Sequence, residues 1–246
     1  LIIFIAVQLL GLLVAWQLIQ QQIALPWDPN APENSFILFG YILLGTALML
    51  GLIRFYKGAL VFRLLEALVI FIAGDTVFGL FLNEPAGIIA GAALVAGKWI
   101  QPRLRNIVAG ITSAGVGALL GVSLSIVPVL ILMGLLAVYD VVAVFLTRHM
   151  ITLAKEISKR ELAFSVAVRY DSQRMELGGG DLVIPVMLAS AAMHINVMVS
   201  AATVVGSAIG IAAILWIAAK RGIPLPAMPA LAAAGAAGLL IGMALF

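Results

Sequence analysis

The 246 residues contain no cysteine, so disulfides, thiolate nucleophiles and cysteine metal sites are excluded, and the redox compartment stays open. Charge is scarce as well. Only 10% of residues are charged and 64% are hydrophobic, against about a quarter charged and about half apolar in an ordinary globular domain. There is too little polar surface to cover a body in water, so most of the exterior must face hydrocarbon. Runs such as Ile107 to Leu124 lack the polar and apolar alternation of a membrane β-barrel. The chain begins at Leu1 rather than Met, as expected of one trimmed at its start.

What is present is a succession of apolar runs, each near the roughly 20 residues that cross a bilayer. They predict an all-α, polytopic membrane protein forming one transmembrane domain over 1–246. About nine helices are expected, at about 1–22, 36–53, 59–82, 85–100, 106–125, 128–149, 181–200, 202–219 and 225–245. The breaks between them carry Pro and polar groups, as in Pro26 to Asn34, Asn83-Glu84-Pro85 and Ser123 to Pro128. Residues 150–168 read as a helix leaving the bilayer or lying in its interface, followed by a flexible part of the cytoplasmic loop, 150–180. Glycines such as Gly110, Gly115, Gly117 and Gly121, or Gly235, Gly238 and Gly242, read as sites of close helix packing.

The 14 basic residues test this map. Arg54, Lys57 and Arg63, then Lys98, Arg103 and Arg105, then Arg148 through Arg174, then Lys220 and Arg221 all follow even-numbered spans. Cytoplasmic loops hold the Lys/Arg excess, so the N-terminus is expected in the cytoplasm and the C-terminus outside. The net charge of +3 is spread over short juxtamembrane loops; it sets topology and touches anionic lipid, and it predicts no nucleic-acid partner. The composition is compatible with a homo-oligomer and leaves the oligomeric state open.

An ionisable side chain inside a span costs at least about 2.5 kcal/mol and needs a reason. Asp75, Asp140 and Asp181 qualify, with Glu66 nearer a span end. Asp140 follows Tyr139 and lies eight residues before Arg148, roughly 12 Å deep at about 1.5 Å per residue. Asp181 opens the next span after Gly178-Gly179-Gly180, at roughly 7 to 16 Å depending on whether the approach is helical or extended. The two carboxylates can therefore meet at one level. Paired in a low dielectric they cannot both ionise cheaply and share a proton, which supplies an acid and a base without a cofactor. The three glycines allow positive φ and an extended or broken start to the span. Such backbone belongs where it lines a wet cavity, and it offers an unpaired edge to an unwound substrate strand.

Asp75, toward the outer end of its span, reads as structural. His194 and Asn196 read as interhelical hydrogen-bonding groups, since one His without clustered partners is poor evidence for a metal site. Glu66 has the i, i+3 spacing of an ion pair with Arg63. A proton- or ion-coupled transporter would also use intramembrane carboxylates and a glycine-broken helix, but it usually shows two related halves, and no repeat is visible.

Tyr139-Asp140, Gly178-Gly179-Gly180-Asp181 and Pro229-Ala230-Leu231, in that order and in the sixth, seventh and ninth spans, resemble the YD, GxGD and PAL motifs of the presenilin and signal peptide peptidase family. The resemblance implies an intramembrane aspartyl endopeptidase with no cofactor and no metal, acting on transmembrane protein or peptide substrates. It also implies that Asp140 and Asp181 form the catalytic dyad, with Tyr139, the three glycines and the Pro229-Ala230-Leu231 turn supporting the site and substrate. Two departures stand out. Gly179 occupies a position where the family often has a larger apolar residue, and the stretch before Asp181 lacks the long loop in which presenilins are self-cleaved. Pro226-Ala227-Met228 is a second near-match to PAL, three residues earlier. The basic clusters flanking the two aspartates correspond to the presenilin orientation and to substrates with the N-terminus outside.

Overall fold

The computed structural model describes residues 1–56, 60–146, 162–170, 173–221 and 225–246. Among them are nine α-helices and one hairpin: α1 (Ile2–Gln20), α2 (Glu33–Phe55), α3 (Leu60–Phe81), α4 (Glu84–Ile100), α5 (Arg105–Val122), α6 (Ile126–Val141), β1 (Ser165–Tyr170), β2 (Gln173–Gly178), α7 (Gly179–Ala192), α8 (Val197–Arg221) and α9 (Met228–Leu245). A 3-10 turn, Pro102–Leu104, leads into α5, and α6 continues as a π-helical turn over Val142–Leu146.

Seven of these segments are long and apolar enough to cross a membrane; α4, with 17 residues, and α7, with 14, are shorter. Mid-helix apolar side chains face outward, with Leu44 64%, Val138 67% and Ile209 63% exposed. That pattern is stable only against hydrocarbon. The shortness of α7 has a different cause. Ten of its residues, Leu182 and Ile184 through Ala192, are buried, and it packs against α1, α5, α6, α8 and α9. Its neighbours, rather than lipid, surround it.

Helix ends follow local chemistry. Asn83 caps α4 by accepting from the Ala86 N–H at 2.9 Å, with Pro85 in the first turn. Asn196 does the same before α8, its Oδ1 accepting from the Met198 N–H at 3.0 Å. A single run over 181–200 was expected, yet the chain turns at 193–196 and the next helix begins at Val197. Asn196 is thus a cap rather than an interhelical partner, whereas His194 does bridge helices, its Nε2 lying 3.0 Å from the Val122 carbonyl oxygen.

Glycines bring helices to backbone contact. A Cβ on Gly121 of α5 would strike the Met187 carbonyl oxygen and come within 2.7 Å of the Ser190 Cβ, both on α7. Neither backbone can yield cheaply, so Gly121→Ala is expected to destabilise the fold by about 1–3 kcal/mol, read as a lowered thermal unfolding temperature in detergent or lipid. Ala at Gly134, with nothing within 4 Å of its Cβ, is the control expected to leave that temperature unchanged or slightly raised.

The segment before Asp181 differs from expectation. The first part of the helix expected over 150–168 lies outside the described residues, but 165–178 forms an antiparallel hairpin with Ser165 opposite Gly178 and Tyr170 opposite Gln173. Val166, Val168 and Tyr170 alternate with Ala167 and Arg169, and two residues separate the strands. β-Branched and aromatic residues at period two favour a strand over a helix.

Candidate active site

Asp140 is buried in the last α-helical turn of α6, one residue before the wider π-helical turn begins. Beside it, Tyr139 packs edge-on against Phe39 of α2, ring centroids 6.2 Å apart. Asp181 is the third residue of α7. The hairpin delivers it, since β2 ends at Gly178 in extended conformation, φ −64° and ψ 148°, and α7 begins at the next residue.

None of the three glycines before Asp181 lies in the left-handed region; proximity, not φ, requires two of them. A Cβ on Gly179 would be 2.9 Å from the Phe164 carbonyl oxygen, and the Gly179 N–H donates to that same oxygen at 2.8 Å. A Cβ on Gly178 would be 3.3 Å from Oδ2 of Asp181, while Gly180 has nothing within 4 Å of that position. The glycine at the middle position thus belongs with a close crossing of two backbone segments.

Asp140 and Asp181 line one cavity of about 960 Å³ together with Tyr139, Gly178, Gly179 and Gly180. Its walls are mainly apolar, from α2 (Leu38, Ile42), α5 (Val116, Leu120) and α6 (Leu132, Leu136). Pro229, Ala230 and Leu231 do not line it. Leu231 is fully buried, and the Ala230 carbonyl faces α8, where a Cβ on Gly210 would be 2.8 Å away. The earlier frame reaches the cavity instead: Leu225, Ala227 and Met228 line it, and the Met228 N–H donates to Oδ2 of Asp140 at 3.1 Å. The start of α9 therefore presents an unused backbone donor to a carboxylate, a favourable arrangement at a helix N-terminus. The sequence signal was the near-match Pro226-Ala227-Met228, with a proline, Pro229, at the second helical residue.

Glu66 is paired with Lys98 of α4 at 2.7 Å, not with Arg63, which is exposed. Asp75 lies where α3 meets α4; its Oδ1 would be 2.7 Å from a Cβ on Gly87. Among the described residues, no three His, Asp or Glu side chains cluster at metal-binding range.

A polytopic helical bundle with two carboxylates on one apolar cavity has the architecture of an intramembrane aspartyl protease. The family "Signal-peptide peptidase, presenilin aspartyl protease" matches residues 1–246, and the chain belongs to it. Two solved structures of a presenilin family intramembrane aspartate protease are similar over 100% of this chain and 96% of theirs. The one in space group C222 is 25% identical with a TM-score of 0.73, and the one in P2 is 26% identical with a TM-score of 0.76. No curated protein matches significantly. The chain is an integral membrane protein and an aspartic-type endopeptidase of the intramembrane-cleaving kind.

Proposed function

We propose that Asp140 and Asp181 are the catalytic pair and that they hydrolyse a peptide bond within a transmembrane segment of a substrate protein or peptide. The observation that carries this reading is their common position on one apolar cavity. The ionised aspartate takes a proton from a water molecule as its oxygen adds to the amide carbon; the protonated one donates to the carbonyl oxygen. Collapse of the tetrahedral intermediate breaks the C–N bond, the amine leaves with a proton, and the pair returns to one shared proton. The Met228 N–H holds Asp140, and Gly178 leaves room beside the Asp181 carboxylate.

The cavity wall selects apolar side chains, and the hairpin supplies recognition of backbone. Each of its two strands has one edge unpaired in the sheet, so an unwound stretch of substrate can add as a further strand. The substrate arrives past α2, which packs mainly on α6 and has Ser35 as its single buried residue. The basic residues place the N-terminus in the cytoplasm and the C-terminus outside, with α4 and α7 completing nine passes of one domain. This topology matches single-span substrates whose N-terminus is outside.

The test is cleavage of a tagged single-span peptide by purified protein in lipid, with products mapped by mass spectrometry. A cut inside the apolar stretch is expected; a cut confined to the flanking polar residues would refute the reading. Turnover is expected to be bell-shaped in pH. On the acid side both carboxyls are protonated and the base is lost; on the alkaline side both ionise and the acid is lost. A profile flat on both sides would contradict a shared-proton pair.

A further inference from the structure

The Glu66–Lys98 ion pair is buried, at 0% and 8% side-chain exposure, and bridges α3 and α4. Burying two charges costs more than their attraction returns unless further hydrogen bonds use the remaining atoms, and well-packed apolar residues often serve the fold as well or better. These helices already meet through glycines, with the Gly91 Cα 2.9 Å from where a Gly74 Cβ would be. Joining α3 to α4 is therefore a weak reason for the pair. Its second carboxylate oxygen has a separate task, because Oε1 of Glu66 accepts the backbone N–H of Ala163.

Ala163 is the first of three consecutive residues gripped from different sides. The Phe164 carbonyl accepts from the Gly179 N–H at 2.8 Å. The Ser165 carbonyl accepts from Arg105 Nε at 3.3 Å, and its Oγ from Arg105 Nη2 at 2.6 Å. Gly179 lies two residues before Asp181, and Ser165 pairs with Gly178 in the hairpin. Glu66, Lys98 and Arg105 do not line the cavity, whereas Phe164, Ser165 and Gly179 do. The charged groups stand behind the wall that carries the acid.

We propose that Glu66, held by Lys98, is a positioning residue for Asp181: it fixes Ala163 so that the Phe164 carbonyl anchors Gly179 and sets the depth and direction of the carboxylate that follows. Arg105 fixes the same segment from α5. The inference rests on Asp181 being catalytic, and it assigns the ion pair to the geometry of the reaction rather than to cohesion of the bundle.

Two double variants separate these roles. Glu66→Leu with Lys98→Leu fills the space without charge but removes the acceptor for Ala163, whereas Glu66→Gln with Lys98→Gln is neutral and keeps an acceptor. With the single-span peptide in lipid, the leucine pair is expected to lower kcat on the order of 10²-fold, with KM and unfolding temperature close to the parent's, because a misplacement of about 1 Å has that effect. The glutamine pair is expected to restore most of that loss. Parental kcat in the folded leucine pair, or equal losses in both pairs, would overturn the proposal. If the leucine pair does not fold, Ser165→Ala reads the same segment through its lost Arg105 contact; a several-fold fall in kcat is expected, and an unchanged kcat overturns the idea. Asp181→Asn is run beside them. Activity in that variant would instead refute the assignment of Asp181 itself.

Discussion

Asp140→Asn and Asp181→Asn are each expected to cut peptide turnover by about 10³-fold or more while leaving the protein folded. General acid or base catalysis contributes roughly 10²–10⁴-fold, and members of a unit that work together lose nearly everything when one is removed. Asparagine keeps the shape of aspartate. At 140 its carbonyl oxygen can still accept the Met228 N–H that Oδ2 now receives at 3.1 Å, so the start of α9 keeps its partner. At 181 the amide fits the space beside Gly178 that the carboxylate fills. What both variants lose is the ability to exchange a proton with water or substrate. Mass spectrometry of the peptide, paired with thermal unfolding of each variant, separates lost chemistry from lost fold. Turnover near the parent's in either folded variant would remove that aspartate from the mechanism.

Gly179→Ala should produce the next largest loss, on the order of 10²-fold in kcat, and it sets helix propensity against proximity. Alanine is favoured over glycine within a helix by about 1 kcal/mol, and Gly179 is the first residue of α7. Yet the new methyl would sit 2.9 Å from the Phe164 carbonyl oxygen, the acceptor of the Gly179 N–H. Relief requires parting the two segments and weakening a buried hydrogen bond, whose loss costs about 1–3 kcal/mol. Proximity therefore wins, and the displacement passes directly to Asp181. Gly180→Ala is the contrast. Its methyl has nothing within 4 Å and the residue lines the cavity, so folding is expected to be unaffected and the change to appear in KM as lost room for substrate. Equal kcat values for the parent and Gly179→Ala would show that the Phe164 crossing does not govern the acid.

The two glycines illustrate how much of the site was legible beforehand. Their presence before Asp181 marked an unusual approach to the helix, but the expected reason, positive φ, was not the operative one; the crowding that excludes a Cβ comes from Phe164, fifteen positions earlier in the chain. The hairpin was legible in Val166, Val168 and Tyr170, yet a charged helical pattern just upstream drew the expectation toward a helix through 168. Asn196 carried a capping signal inside an apolar stretch long enough to read as one span. For Glu66, spacing pointed to Arg63, whereas α3–α4 packing delivered Lys98, 32 positions away.

The sequence by itself determined the solvent, the helical class and the two acids, because hydropathy, charge placement and the cost of an intramembrane carboxylate act locally and leave their mark residue by residue. It also contained both frames of the Pro-Ala pattern without choosing between them. Only the tertiary structure decided that Met228, rather than Ala230 or Leu231, meets Asp140, that Phe164 crosses Gly179, and that Glu66 reaches Ala163. Each of those contacts joins segments far apart in the chain. Their partners are set by the distance and rotation at which helices pack, which no local pattern encodes.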